Sequence, residues 1–252
     1  MGVAAGAFVS VLSLSGDALA DTGELDDIRC LSGDTSTAGR CTQSLHAAGA
    51  GAGSGLEGIQ SVDLSPDGAD VYATSQRSDA IVHLNRNVNT GAITFGECIT
   101  GNVDVGPTPS GTGACDALPL TNPSAFNTGL NQPADAVVSP DGSDVYSVSQ
   151  ADDAIAHFDR NTTTGALTYV GCLSTKGSAT TAYGGACDSL PTAAPTGDNT
   201  GLHLPTGIAI SPGTGASIYV TGSSDDSIAR FTRNTSTGDL TWEGCGTGEA
   251  AS

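Results

Sequence analysis

Residues 139–146 read Ser139-Pro140-Asp141-Gly142-Ser143-Asp144-Val145-Tyr146, and nearly the same string stands 74 residues earlier as Ser65-Pro66-Asp67-Gly68-Ala69-Asp70-Val71-Tyr72. A looser copy follows 72 residues later, where Ser211-Pro212 leads through Gly213-Thr214-Gly215 to Ile218-Tyr219-Val220. Working outward, each copy continues to an Arg-Asn pair at Arg86-Asn87, Arg160-Asn161 and Arg233-Asn234. Each then reaches Thr-Gly at Thr90-Gly91, Thr164-Gly165 and Thr237-Gly238, and closes on Cys98, Cys172 or Cys245. Agreement at this many spaced positions identifies three tandem units.

Within the middle unit four short runs, Asp135 to Ser139, Asp144 to Ser149, Ala154 to Asp159 and Ala166 to Cys172, are rich in Val, Ile, Tyr or Phe and bounded by turn residues. Pro140-Asp141-Gly142 suits a tight turn, Asp152-Asp153 a second, and Asn161 to Gly165 a third. No stretch carries a 3.6-residue apolar period long enough for a helix. The fold class is therefore all-β. Four antiparallel strands in up-and-down order, repeated in tandem, describe the blade of a β-propeller, whose sheet faces are hidden against neighbouring blades. An open β-solenoid is the other repeat architecture, but its coils are much shorter than this unit.

Between blades lies a second half of the unit rich in Gly, Pro, Ser and Thr, such as Leu173 to Thr200, longer and more polar than an ordinary connection. Cysteines recur there in equivalent places: Cys30 with Cys41, Cys98 with Cys115, and Cys172 with Cys187, separated by 11, 17 and 15 residues. One local disulfide per insertion follows, since neither paired CxxC nor interleaved His at metal-ligand spacing occurs. Cys245 is left as the odd seventh cysteine. Disulfides place the chain in an extracytoplasmic compartment.

The period divides the chain into a partial repeat at 21–54, blade 1 with its insertion at 55–128, blade 2 with its insertion at 129–200, and blade 3 at 201–252. In the partial repeat, Thr22-Gly23-Glu24-Leu25 stands eight residues before Cys30, as Thr164-Gly165 stands before Cys172, so 22–30 matches a fourth strand. Three complete blades plus a leading strand make a partial or open propeller, whose end blades expose apolar faces that favour self-association. For residues 1–20, Val3 to Leu14 fits the apolar region of a signal peptide and Ala18-Leu19-Ala20 its cleavage site, although the positive n-region is missing. The alternative is the inner part of a preceding blade.

Charge narrows the partners. A formal net charge of -19, with the single lysine Lys176, repels phosphate backbones and anionic lipid, so neither nucleic acid nor membrane is an expected partner. Val3 to Leu14 is too short to span a bilayer. With 38% hydrophobic and 14% charged residues, the chain is not of disordered composition.

The string at 139–172, from Ser-Pro-Asp-Gly through Asp-Asp-Ala-Ile-Ala-His-Phe-Asp-Arg-Asn and Thr-Gly-Ala-Leu-Thr to Gly-Cys, resembles the lactonase-type β-propellers and the related YVTN-repeat surface proteins. The resemblance covers residues 55–246, with a trace at 22–54, and rests on turn and packing positions. It implies a seven-bladed whole, about twice this chain, so a truncated sequence is expected. Some such proteins hydrolyse 6-phosphogluconolactone or cyclise muconates, and many extracellular ones have no assigned chemistry. The disulfide insertions and expected export depart from the cytoplasmic enzymes.

The expected role is binding or scaffolding toward a protein or carbohydrate at the cell exterior, without a cofactor, and the alternative is a lactone hydrolase. For the latter, His83 and His157 occupy one place in the third strand of successive blades and Arg230 takes it in the third, which would supply a base and a cation. Repeat-equivalent positions are more often architectural. Asp152, Asp153, Asp225 and Asp226 lie on tight turns that could offer oxygens to Ca²⁺, but no calcium-loop spacing is present and solvated turn residues are the preferred reading. Asn161-Thr162-Thr163 and Asn234-Thr235-Ser236 match the glycosylation acceptor, yet coincide with the turn each blade needs. An enzyme should show convergent polar groups where the repeat symmetry breaks; a scaffold should be repeat-uniform.

Overall fold

The structure, a computed structural model, describes residues 30–37, 41–48, 53–102, 115–122, 127–175, 187–190 and 200–248. The signal-peptide reading of residues 1–20 and nearly all of the leading strand at 22–30 lie outside them. A parallel pair, β1 (Leu31–Asp34) and β2 (Thr42–Ala48), precedes three sheets. Blade 1 comprises β3 (Ile59–Leu64), β4 (Asp70–Ser75), β5 (Ala80–Arg86), β6 (Ile93–Asn102) and β7 (Asp116–Asn122). Blade 2 comprises β8 (Pro133–Val138), β9 (Asp144–Ser149), β10 (Ala154–Arg160), β11 (Leu167–Ser174) and β12 (Cys187–Ser189). Blade 3 holds β13 (Pro205–Ile210), β14 (Ser217–Gly222), β15 (Ser227–Arg233) and β16 (Leu240–Thr247). In each blade the first four strands run up and down in sequence order. The expected four-stranded propeller blade is therefore present three times.

Turn chemistry sets these boundaries. Gly68 N donates to Ser65 O and Gly142 N to Ser139 O, both at 2.8 Å, closing the Pro-Asp-Gly turns between the first two strands. Between the third and fourth strands, Asn161 Oδ1 accepts from the N–H groups of Thr163 and Thr164 at 2.9 and 3.1 Å, and Asn87 repeats this at its own turn. The sequon asparagine Asn161 thus spends its side-chain oxygen on the turn.

Blades 1 and 2 each have a fifth strand that the four-strand reading did not contain. The insertion returns alongside the fourth strand and pairs with it in parallel, with Cys172 opposite Cys187 in the register. Both cysteine pairs are disulfides with Cα atoms 4.5 Å apart, and Cys30–Cys41 closes the β1–β2 pair at 4.6 Å. The staple brings the strand back to the sheet edge after a long excursion, where polar alternation alone gives little pairing signal.

The cores lie between sheets. Tyr72 and Ile81 of blade 1 pack with Val145, Ala156 and Phe158 of blade 2. Tyr146 and Ile155 of blade 2 pack with Ile218, Val220, Ala229 and Phe231 of blade 3. Consequently β9 is buried on both faces and β14 alternates. Strand β4 is also buried on both, because its outer residues Val71 and Ala73 pack with Val82, Leu84 and Cys98 under Leu31 of β1 and Leu56, so the exposed apolar face expected of both end blades is absent from blade 1. Tyr219 is 43% and Ile228 53% exposed, while their counterparts Tyr72, Tyr146 and Ile81 are at 0%. No described sheet covers the far face of blade 3, and the three blades form an open arc.

Candidate functional site

The polar residues that recur at each blade junction assemble into one cluster. Asp70 and Tyr72 on β4 and His83 on β5 share a face of blade 1, because alternate residues of paired strands point the same way. His83 Nε2 lies 2.6 Å from Asp70 Oδ1, and its ring stacks on Tyr72 with centroids 5.3 Å apart. Blade 2 then inserts Arg160: its Nε donates to the Tyr72 hydroxyl at 2.7 Å, and its Nη2 pairs with Asp70 Oδ2. The Tyr72 hydroxyl in turn donates to Gly165 O at 2.6 Å.

Blades 2 and 3 repeat the arrangement. His157 Nε2 is 2.7 Å from Asp144 Oδ1, the His157 ring stacks on Tyr146, and Tyr146 donates to Gly238 O at 2.6 Å. Arg233 Nε donates to Tyr146 at 3.0 Å, and Nη2 reaches Asp144 Oδ2 and Asp141 Oδ2, the latter at 2.9 Å. Gly165 and Gly238 are required twice over. Each has φ near +74° or +73°, and a Cβ would stand 2.2 Å from Asp70 Oδ1 or 2.1 Å from Asp144 Oδ1. A bulge between His83 and Leu84, and again between His157 and Phe158, aims the imidazole at the carboxylate.

Electrostatics suit a fixed ionic contact. Burial pushes the Asp144 carboxyl up, but hydrogen bonds from His157, Ser143 and Arg233 outweigh it and hold the group below the usual carboxylate range. Arg160 and Arg233, though buried, are driven above the ordinary arginine value by the Asp and Tyr groups they touch. Since Asp144 is ionised and accepts only, the His157 Nε2 that faces it is the donor of that contact.

These positions place the candidate catalytic residues. His83 and His157 are buried between blades, each bonded to an Asp, and are not brought together with one another. Arg230 lies on the exposed face of blade 3, where Ser217 replaces the Asp. Sequence reasoning saw the Arg-Asn pairs only as turn markers. Arg160 and Arg233 are inter-blade ligands, whereas Arg86 donates to Gly68 O within blade 1, and the signal available was a buried-type Asp, Tyr and Arg recurring at one period.

The acidic turns are also engaged. Asp152 accepts N–H bonds from Asn127, Thr128, Gly129 and Asn131 at 2.5 to 3.3 Å, while burial still raises its carboxyl to about 6. Asp153 Oδ1 accepts from Leu204 N of the next blade at 2.8 Å, and Asp79 Oδ1 from Gln132 N at 2.9 Å. Asp225 accepts from Gly201 N and His203 N at 2.9 and 3.3 Å, whereas Asp226 is exposed. Asp144, His157 and Asp159 bring potential metal-ligand atoms within 4.8 Å of one another, but Arg233 already occupies the Asp144 carboxylate as its cation.

Two clefts border the junctions. One, of about 580 Å³, opens between blades 1 and 2 and is lined by Glu57, Gln76, Arg77, Asp79, Asn131 and Gln132. The other, of about 330 Å³, lies between blades 2 and 3 against His157, where the repeat departs from uniformity.

Neither a family profile nor a curated protein matches the sequence. Solved structures do. A putative 6-phosphogluconolactonase from Bacteroides uniformis superposes with a TM-score of 0.51 at 20% identity, over 79% of this chain and 42% of that one. A Lactobacillus plantarum protein gives 0.51 at 19%, over 77% and 42%. The periplasmic gluconolactonase of Pseudomonas aeruginosa gives 0.50 at 17%, over 75% and 40%. The chain thus spans about two fifths of the length of these structures. Its fold is that of the lactonase-type β-propellers.

Proposed function

We propose that the protein is an extracytoplasmic β-propeller module that binds or scaffolds a protein or carbohydrate partner. The observation that carries this reading is that His83 and His157, with Asp70 and Asp144, serve the same structural contact at successive junctions. Residues committed to holding blades together at both described junctions are poor candidates for a single reacting centre. The all-polar cleft between blades 1 and 2 supplies donors and acceptors suited to a hydrated partner. The three disulfides support an oxidising compartment. The uncovered Tyr219 and Ile228 support self-association, which sedimentation should find reduced in an Ile228→Lys variant.

A second reading, hydrolysis of a lactone, is favoured by the named activities of two of the similar structures. Asp144-oriented His157 beside a cleft would be its base. A panel of sugar and homoserine lactones separates the two. The binding reading expects no turnover, and turnover lost in His157→Gln but retained in His83→Gln would replace it with the hydrolase.

A further inference from the structure

The cleft between blades 2 and 3 lies where this junction differs from the preceding one at two repeat positions. In blade 1, Glu97 fills the corresponding space, and its Oε1 accepts from Leu167 N of blade 2 at 2.7 Å. The counterpart of Glu97 is Gly171, where an added Cβ would meet nothing within 4 Å. Across the gap, Ala166 of blade 2 is replaced in blade 3 by Asp239. One change opens a space, and the other places a carboxylate at its edge.

The resulting lining has a definite chemistry. Ile155, Val170, Leu173 and Leu240 give it apolar walls. Its polar groups are Asp188, Asp239 and the imidazole of His157, which is only 7% exposed. With Nε2 turned to Asp144, the other ring nitrogen, Nδ1, makes no hydrogen bond among the described residues. The two carboxylates accept only, and neither lysine nor arginine lines the cleft. Arg233, the nearest guanidinium in the junction, is bound to Asp144, Asp141 and Tyr146.

We infer that this cleft is a binding site for a small organic cation, a primary ammonium on a short aliphatic body. The ammonium's N–H groups match the carboxylates of Asp188 and Asp239, the apolar walls take the chain, and the net charge of -19 attracts the ligand. An anionic ligand would meet two carboxylates with no cation to offset them. The site is additional to the partner-binding role above and does not rest on it.

The test is NMR titration of the intact chain with n-butylammonium chloride, with sodium butyrate as the anionic isostere and potassium chloride as the ionic-strength control. Butylammonium should shift residues 155–157, 170–173 and 239–240 saturably, and butyrate should not. Gly171→Glu and Asp239→Ala install residues that the preceding repeat already carries, so both should fold. The first should abolish binding by filling the cleft. The second should weaken it about tenfold, the loss expected for one hydrogen bond to a charged group. No saturable shift with butylammonium, equal shifts with butyrate, or unchanged binding in both variants would overturn the assignment.

Discussion

At the scale of single residues, one repeat position has two different energetic meanings. Tyr146 donates to Gly238 O and accepts from Arg233, fully buried, while Tyr219 at the same place in blade 3 is 43% exposed and makes neither bond. Tyr146→Phe should therefore lower unfolding free energy by about 1–3 kcal/mol, because it leaves two buried partners unsatisfied. Tyr219→Phe should change it by less than about 0.5 kcal/mol. Denaturant unfolding followed by Trp242 fluorescence measures both. The carboxylates add a pH signature. The Asp144 carboxyl titrates below its ordinary value of 3.8 in the folded chain, so its contribution is present above that value and lost as the pH falls through the folded-state value. The destabilisation caused by Asp144→Asn should accordingly be large at pH 7 and shrink below about pH 3.8, whereas a constant penalty would show that the contact is not ionic.

At the scale of elements, the strands of each blade were legible because they alternate Val, Ile, Tyr and Phe between turns that only Pro, Asp, Asn and Gly satisfy. The disulfides were legible from recurrence. The fifth strands were not, since Cys187-Asp188-Ser189 has almost no apolar content and joins the sheet only because Cys187 is tied to Cys172. The Arg160 and Arg233 contacts were hidden for another reason: donor and acceptor lie 90 and 89 residues apart, in different repeats. The cleft escaped notice because it lies where the repeats differ, with Glu97 in blade 1 but Gly171 and Gly244 in the others, and Asp239 in place of Ala92 and Ala166, and reading by similarity passes over such positions. If the staple holds β12, replacing Cys172 and Cys187 by Ser should cost about 3 kcal/mol for a loop of 15 residues. Amide exchange should show β12 released while β8–β11 stay protected; retained protection at 187–189 would mean that backbone pairing alone suffices.

At the scale of the whole molecule, the fold is a row of sheets joined by ionic clusters that straddle each junction. Blade 3 has altered chemistry on its outer face: Ser217 stands where Asp70 and Asp144 stand, and Arg230 where His83 and His157 stand. The arginine seat is thus built at the two described junctions and absent from the open face. The account's central claim is that the buried Asp–His–Tyr–Arg clusters couple neighbouring blades. A double-mutant cycle across the second junction, with Asp144→Asn, Arg233→Gln and both together, tests this most directly by equilibrium unfolding. The account predicts a coupling energy of about 1–3 kcal/mol; single-mutant effects that add within about 0.5 kcal/mol would contradict it.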